Sequence, residues 1–69
     1  MRSHEALVAR VRGEYLEMPG LRLTVPQACR LWQIDPRVCE AVLQELVEER
    51  FVARTRDGAF IASSSLMEV

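Results

Sequence analysis

The side chains with the clearest capacity for chemistry are cations. All nine positively charged residues are Arg, with no Lys, so every cation is a planar fork suited to bidentate contact with phosphate or carboxylate. Arg50, Arg54 and Arg56 gather near the end of the chain against a single acid, Asp57. Arg54 and Arg56 share strand parity, so they are expected to project to one side of a hairpin and reach two or three phosphates. Arg30 or Arg37, near a helix N-terminus, is expected to add a further contact. An opposing pattern lies just upstream. Residues 36–49 hold one Arg against four acids, Glu40, Glu45, Glu48 and Glu49, and pairing of the hairpin arginines with that helix is the alternative use of the same charges.

Other chemistry finds little support. Cys29 and Cys39 are too few for a disulfide scaffold or a complete zinc site, and His4 lies far from both in sequence. The two thiols are expected to act as small core residues rather than as a redox pair. There is no nucleophile–base pair, no glycine-rich phosphate loop and no carboxylate pair in a plausible cleft, so no catalytic residue, cofactor or metal is expected. The net charge of −1 supplies no global field to draw in nucleic acid.

With 69 residues the chain is one domain, and one this small buries only about 60% of the surface its unfolded form exposes. No apolar run reaches the roughly 20 residues that cross a bilayer. The first twelve residues lack the order of a signal peptide, which makes the cytoplasm the expected compartment.

The elements that must position these charges are marked by caps and periodicity. Ser3 is expected to cap a first helix whose stripe is Leu7, Val8, Val11, Tyr15 and Met18, ended by Pro19-Gly20. Leu21-Arg22-Leu23 alternates as a very short strand would. Thr24 and Gln27 form a capping box for a second helix over 25–32, with Pro26 in its first turn. Asp35-Pro36 starts a third, in which Val38, Cys39, Val42, Leu43, Leu46 and Val47 repeat as adjacent pairs every four residues. It is expected over 36–49. Strands at 51–55 and 59–62 are joined through Arg56-Asp57-Gly58, a hairpin turn sequence. The prediction is an α+β domain over 1–62, with three helices, a short strand and a C-terminal two-stranded hairpin. Residues 63–69 are expected to form a frayed tail. Trp32 is expected in the core with its indole N–H near the surface. Leu31 is expected to stay partly uncovered, and with Val38 and the apolar tail to form a small contact patch.

Residues 21–62, carried by LTVPQACRLWQIDPRVCEAVLQELVEERFVARTRDGAFIA, resemble the winged helix-turn-helix superfamily of bacterial regulators. On that resemblance Cys29, preceded by Ala28, takes the place of the small residue that lets the two motif helices pack closely. Trp32 and Ile34 match the apolar positions around the turn, and Cys39, Val42 and Leu46 the inward positions of the recognition helix. The family often has Gly at the turn and after the recognition helix, where this chain has Gln33 and Arg50. The resemblance implies a face made of Arg37, Val38, Glu40, Ala41, Gln44 and Glu45 entering a DNA groove. Arg37 would contact a phosphate or guanine, and Gln44 would read adenine. It also implies a wing holding the backbone, and a homodimer through the first helix and the tail. The implied role is a transcription-regulator module on double-stranded DNA. The acidic third helix supports a different role, a protein-interaction domain docking on a basic partner.

Overall fold

The Thr24-Val25-Pro26-Gln27 and Asp35-Pro36 sequences each stop one element and start another. The computed structural model describes residues 3–63, in the order α1 (Ser3–Glu17), β1 (Arg22–Thr24), α2 (Val25–Trp32), α3 (Pro36–Glu48), β2 (Val52–Arg54) and β3 (Ala59–Ala62). Thr24 is extended; its hydroxyl accepts the Gln27 N–H at 3.4 Å, and Gln27 Oε1 accepts the Thr24 N–H at 3.0 Å. The Asp35 carboxylate accepts the Arg37 N–H at 2.8 Å. These contacts satisfy donors that a helix N-terminus otherwise leaves open. The cap expected at the Ser3 side chain lies outside the described side chains.

The strands form one antiparallel sheet of order β1-β3-β2. The central strand β3 pairs Phe60 with Leu23 on one side and with Arg54 on the other. The domain is therefore α+β, three helices with a three-stranded antiparallel sheet. β1 starts one residue later than the alternation suggests, because Leu21 is used elsewhere. Its N–H closes the Pro19-Gly20 turn onto Met18 O at 2.9 Å, and its side chain packs against the core.

Every element except β1 contributes fully buried residues to the core. Val8, Val11 and Tyr15 come from α1, Ala28 and Trp32 from α2, Cys39, Val42, Leu43 and Leu46 from α3, and Val52, Phe60 and Ala62 from the strands. Met18, expected in the stripe of α1, is not in it: it falls after the last turn of the helix and is exposed. Val38, at the border of the α3 stripe, is exposed too, as its place on the outward face implies. Ala28 is fully buried, and Cys29, partly buried, lies with its thiol against that of Cys39 on α3. The Trp32 indole also departs from expectation. Its Nε1 is buried with no hydrogen-bond partner among the described residues, a placement that costs about 1–3 kcal/mol for an unsatisfied donor.

Both helix ends without glycine adopt left-handed backbone. Gln33 has φ 54° and Arg50 φ 65°, the two non-glycine residues with positive φ among those described. At Gln33 the chain leaves α2, and the Cys29 carbonyl accepts both the Gln33 and Ile34 N–H groups. After α3, the Arg50 N–H reaches Val47 O and the Phe51 N–H reaches Leu46 O, each at 2.9 Å. That pair is the Schellman pattern, normally built on glycine. An L side chain there is strained by about 1–2 kcal/mol.

The Tyr15 hydroxyl, buried with its ring, donates to Phe60 O at 2.8 Å and ties α1 to the central strand. Burial, helped by the neighbouring Cys39, pushes its pKa up to about 12. Burial also pushes the Cys39 thiol to about 12, with the Cys29 thiol and Glu40 adding to the shift. Such a thiol stays protonated and unreactive near neutral pH.

Two tests follow from this packing. Gln33→Gly is expected to gain about 0.5 kcal/mol net, strain relief offset by chain entropy, raising Tm by about 2–4 °C in a thermal melt. Gln33→Val is expected to lower it. In pH titrations of denaturant unfolding, unfolded Cys and Tyr lose protons near about 8.5 and 10, whereas folded Cys39 and Tyr15 hold theirs to about 12. The unfolded chain then binds fewer protons, so stability is full below pH ~8.5 and falls as pH rises toward ~12. Cys39→Ala is expected to remove the earlier part of that fall.

Candidate nucleic-acid interface

Burial of Cys39, Val42, Leu43 and Leu46 turns the opposite side of α3 outward. At 100° per residue that side is a ridge of Arg37, Ala41, Gln44 and Glu48, with Glu40 on its flank; all five are exposed. Arg37, Glu40, Ala41 and Gln44 together line one shallow, open depression. They are four of the six residues that the resemblance assigns to the groove-facing side. Their placement follows from the cap at Asp35, which sets where α3 begins, and from the burial of Cys39, Val42, Leu43 and Leu46, which sets which side faces in.

Glu45 lies on the opposite flank, where it lines a second open depression with Ala41, Gln44 and Glu48. It is half-buried, and its Oε1 lies 2.7 Å from His4 Nε2 on α1. Glu49, one turn on, bonds the Arg12 guanidinium, which also sits 5.5 Å from the centroid of the Phe51 ring. Packing of α1 along α3 thus engages two of the four glutamates. The ridge itself holds Arg37 with Glu40 on its flank and Glu48 at its end, and of the four glutamates only Glu49 is paired with an arginine among the described residues. Sequence reasoning gave His4 no role and left Glu48 out of the outward face. His4 is found only through the tertiary contact, whereas Glu48 could have been placed by helical spacing from Arg37 and Ala41.

The hairpin presents its own cations. β2 ends at Arg54, and Arg56 lies in the turn, so the shared strand parity expected for the two does not apply. Thr55 pairs with Ala59 (N–H to O, 2.7 Å), and Gly58, at φ 88°, donates to Thr55 O at 3.0 Å. A three-residue loop ending in left-handed glycine is thereby closed. Asp57 bonds the Thr55 hydroxyl and the Arg22 guanidinium of β1. The Thr55 hydroxyl above all, then a backbone N–H and Arg22, hold its carboxyl below the usual range, outweighing a desolvation effect of opposite sign. Asp57 is therefore engaged by β1, in a pairing legible only once β1 is known to lie beside β3.

No hairpin arginine pairs with an α3 glutamate among the described residues. Arg54 lies over the Phe60 ring, 5.9 Å from its centroid, and Arg56 is exposed without an ion pair. Arg30 is exposed in the last turn of α2, where a cation complements the helix dipole. It lines a different depression, with Leu23, Pro26, Gln27 and Leu31, and is not brought into the Arg37 set. Leu31 is exposed, as expected, and so is Val38; the tail residues expected beside them lie outside the described residues. Among the described residues no group of three or more His, Cys, Asp or Glu is placed to hold a metal ion, and no helix is long and apolar enough to cross a membrane.

Comparison with protein families, with curated proteins and with solved structures found no match to this chain.

The arginines thus divide into those that hold the fold and those that are available. Arg37→Ala and Arg56→Ala are expected to leave unfolding free energy within about 0.5 kcal/mol. Arg12→Ala, which loses the Phe51 and Glu49 contacts, is expected to cost about 1 kcal/mol. Denaturant melts of the three variants provide the comparison.

Proposed function

We propose that this chain is a winged helix-turn-helix module of a transcription regulator, binding double-stranded DNA with α3 in the major groove and the β2–β3 hairpin as a wing on the phosphate backbone. The observation that carries this reading is the uncovered ridge bearing Arg37 and Gln44, which starts directly after the three-residue turn from α2. The unpaired charge of Arg56, with Arg54 beside it, supports it. Arg37 and Gln44 are seven residues apart, about 10.5 Å along the helix, and so span about three stacked base pairs. Arg37 pairs bidentately with guanine O6 and N7, Gln44 with adenine N6 and N7, and Glu40 accepts from cytosine N4. Ala41 leaves room for a thymine methyl. Arg54 and Arg56 hold phosphates, with Arg30 at most a peripheral contact.

Two or three phosphate contacts give weak binding that fades with salt, at a log–log slope of about −2 to −3. A homodimer on a two-fold site supplies the missing affinity, and on this reading the protein works in the cytoplasm, beside its DNA. The second reading, a protein-interaction domain using its acidic third helix, is favoured by Glu40 and Glu48 on the same exposed face.

Amide NMR titration with a mixed-sequence duplex, at low and then physiological salt, decides between them. Shifts at Arg37, Ala41, Gln44 and the 54–58 hairpin that weaken with salt are expected. No shifts at low salt would overturn the DNA reading. Arg54→Glu with Arg56→Glu is expected to flatten the salt slope by about 2; an unchanged slope would remove the hairpin from the interface.

A further inference from the structure

The two cysteines stand on either side of the 33–35 turn, Cys29 in α2 and Cys39 in α3. Both are free, and their thiols are in hydrogen-bonding contact. They differ in access: Cys29 is partly exposed, whereas Cys39 is buried in the core with Val42, Leu43 and Leu46. They differ also in which holds the shared proton. The hydrogen bond with Cys29 favours the protonated form of Cys39, so Cys39 donates its S–H and Cys29 Sγ accepts. Cys29 Sγ is therefore the sulfur open to a reagent arriving from solvent.

We infer that this pair is a peroxide-sensitive modification site, in which hydrogen peroxide oxidises Cys29 and Cys39 then closes a disulfide joining α2 to α3. In the first step the Cys29 thiolate attacks one peroxide oxygen. An S–O bond forms and the O–O bond breaks. The thiol proton, released to solvent as the thiolate forms, is returned to the departing hydroxide, which leaves as water. Cys29 is then a sulfenic acid. In the second step Cys39 Sγ attacks Cys29 Sγ; the S–S bond forms and the S–O bond breaks. The proton of Cys39 passes to the departing hydroxide and gives a second water. Two thiols lose one electron each, and one peroxide gains both.

Burial fits Cys39 to the second step alone. Protonated and enclosed, it meets no oxidant from solvent, yet its sulfur already touches the one it must attack. Such contact makes the closing step intramolecular. The S–S bond, about 2.05 Å long, is shorter than any contact between unbonded thiols, so its formation draws Cys29 toward α3. The Cys29 carbonyl accepts the Gln33 and Ile34 N–H groups, so the residue displaced is the one to which the turn is fastened. Oxidation thus acts on left-handed Gln33 and, next along the chain, on the Asp35 cap of α3. The assignment does not depend on the DNA reading.

The test treats the full chain at high dilution with hydrogen peroxide, as the native protein and as Cys29→Ser and Cys39→Ala, and alkylates the thiols that remain. The native chain is expected to lose both thiols together and to become lighter by two hydrogen atoms. Its digest is expected to hold one peptide pair joined through Cys29 and Cys39, separated again by dithiothreitol, and the Gln33, Ile34 and Asp35 amides shift in step. Cys39→Ala is expected to stop at a sulfenic acid that dimedone captures. Cys29→Ser is expected to slow the loss of the Cys39 thiol by about tenfold or more. Survival of both native thiols in peroxide that oxidises free cysteine overturns the inference. So does sulfinic Cys29 beside a Cys39 that still alkylates, a disulfide joining two chains, or undiminished loss of Cys39 in Cys29→Ser.

Discussion

The close approach of α2 to α3 governs the rest of the structure. Ala28 of α2 is fully buried, the Cys29 thiol lies against Cys39 of α3, and the chain has only residues 33–35 in which to reverse between the helices. So short a connection demands left-handed backbone, and Gln33 supplies it despite its side chain. A larger residue at 28 would overfill that part of the core. The outward direction of Arg37, Ala41 and Gln44 is a consequence of Cys39, Val42, Leu43 and Leu46 being drawn inward. The strain at Gln33 is tolerated because Trp32 and Ile34, on either side of it, are held in and against the core.

Charge is then divided by the same packing. α1 lies along one flank of α3 and brings His4 and Arg12 to Glu45 and Glu49. β1 brings Arg22 to Asp57. Each pair is at the surface and worth little in stability. Their larger effect is on what is left over. Glu49 and the acid of the hairpin are each matched by an arginine, so on the outward side of α3 the charges left without an ion pair among the described residues are Arg37, Glu40 and Glu48.

Local chemistry accounts for what was legible from sequence. Caps at Thr24 and Asp35 act within a few residues, and the pairing of buried positions in α3 is a property of helical spacing, so both appear in the linear order of residues. Positive φ at Gln33 and Arg50 came from neither; the resemblance alone marked those two places as ones where Gly is usual. The rest depended on distant contacts. The Glu45–His4 pair joins residues 41 positions apart. The Arg22–Asp57 pair needs the register of β1 on β3, and the turn placement of Arg56 needs β2 to end at Arg54. Trp32 was misread for a related reason: indole favours a polar partner, and only the full enclosure by neighbouring elements shows that its N–H has none among the described residues.

The strand order has a bearing on how the domain comes into being. β3 is the last strand in sequence and the middle one in space, and the Tyr15 hydroxyl bonds to it across 45 positions. During synthesis β1 therefore emerges from the ribosome with no neighbour to pair with, and α1 lacks its buried acceptor. The helices have local contacts to hold them in the meantime, but the sheet cannot begin until residues 59–61 are free. Folding is thereby made a single late event, set by the closing of long loops rather than by stepwise growth from the first residues.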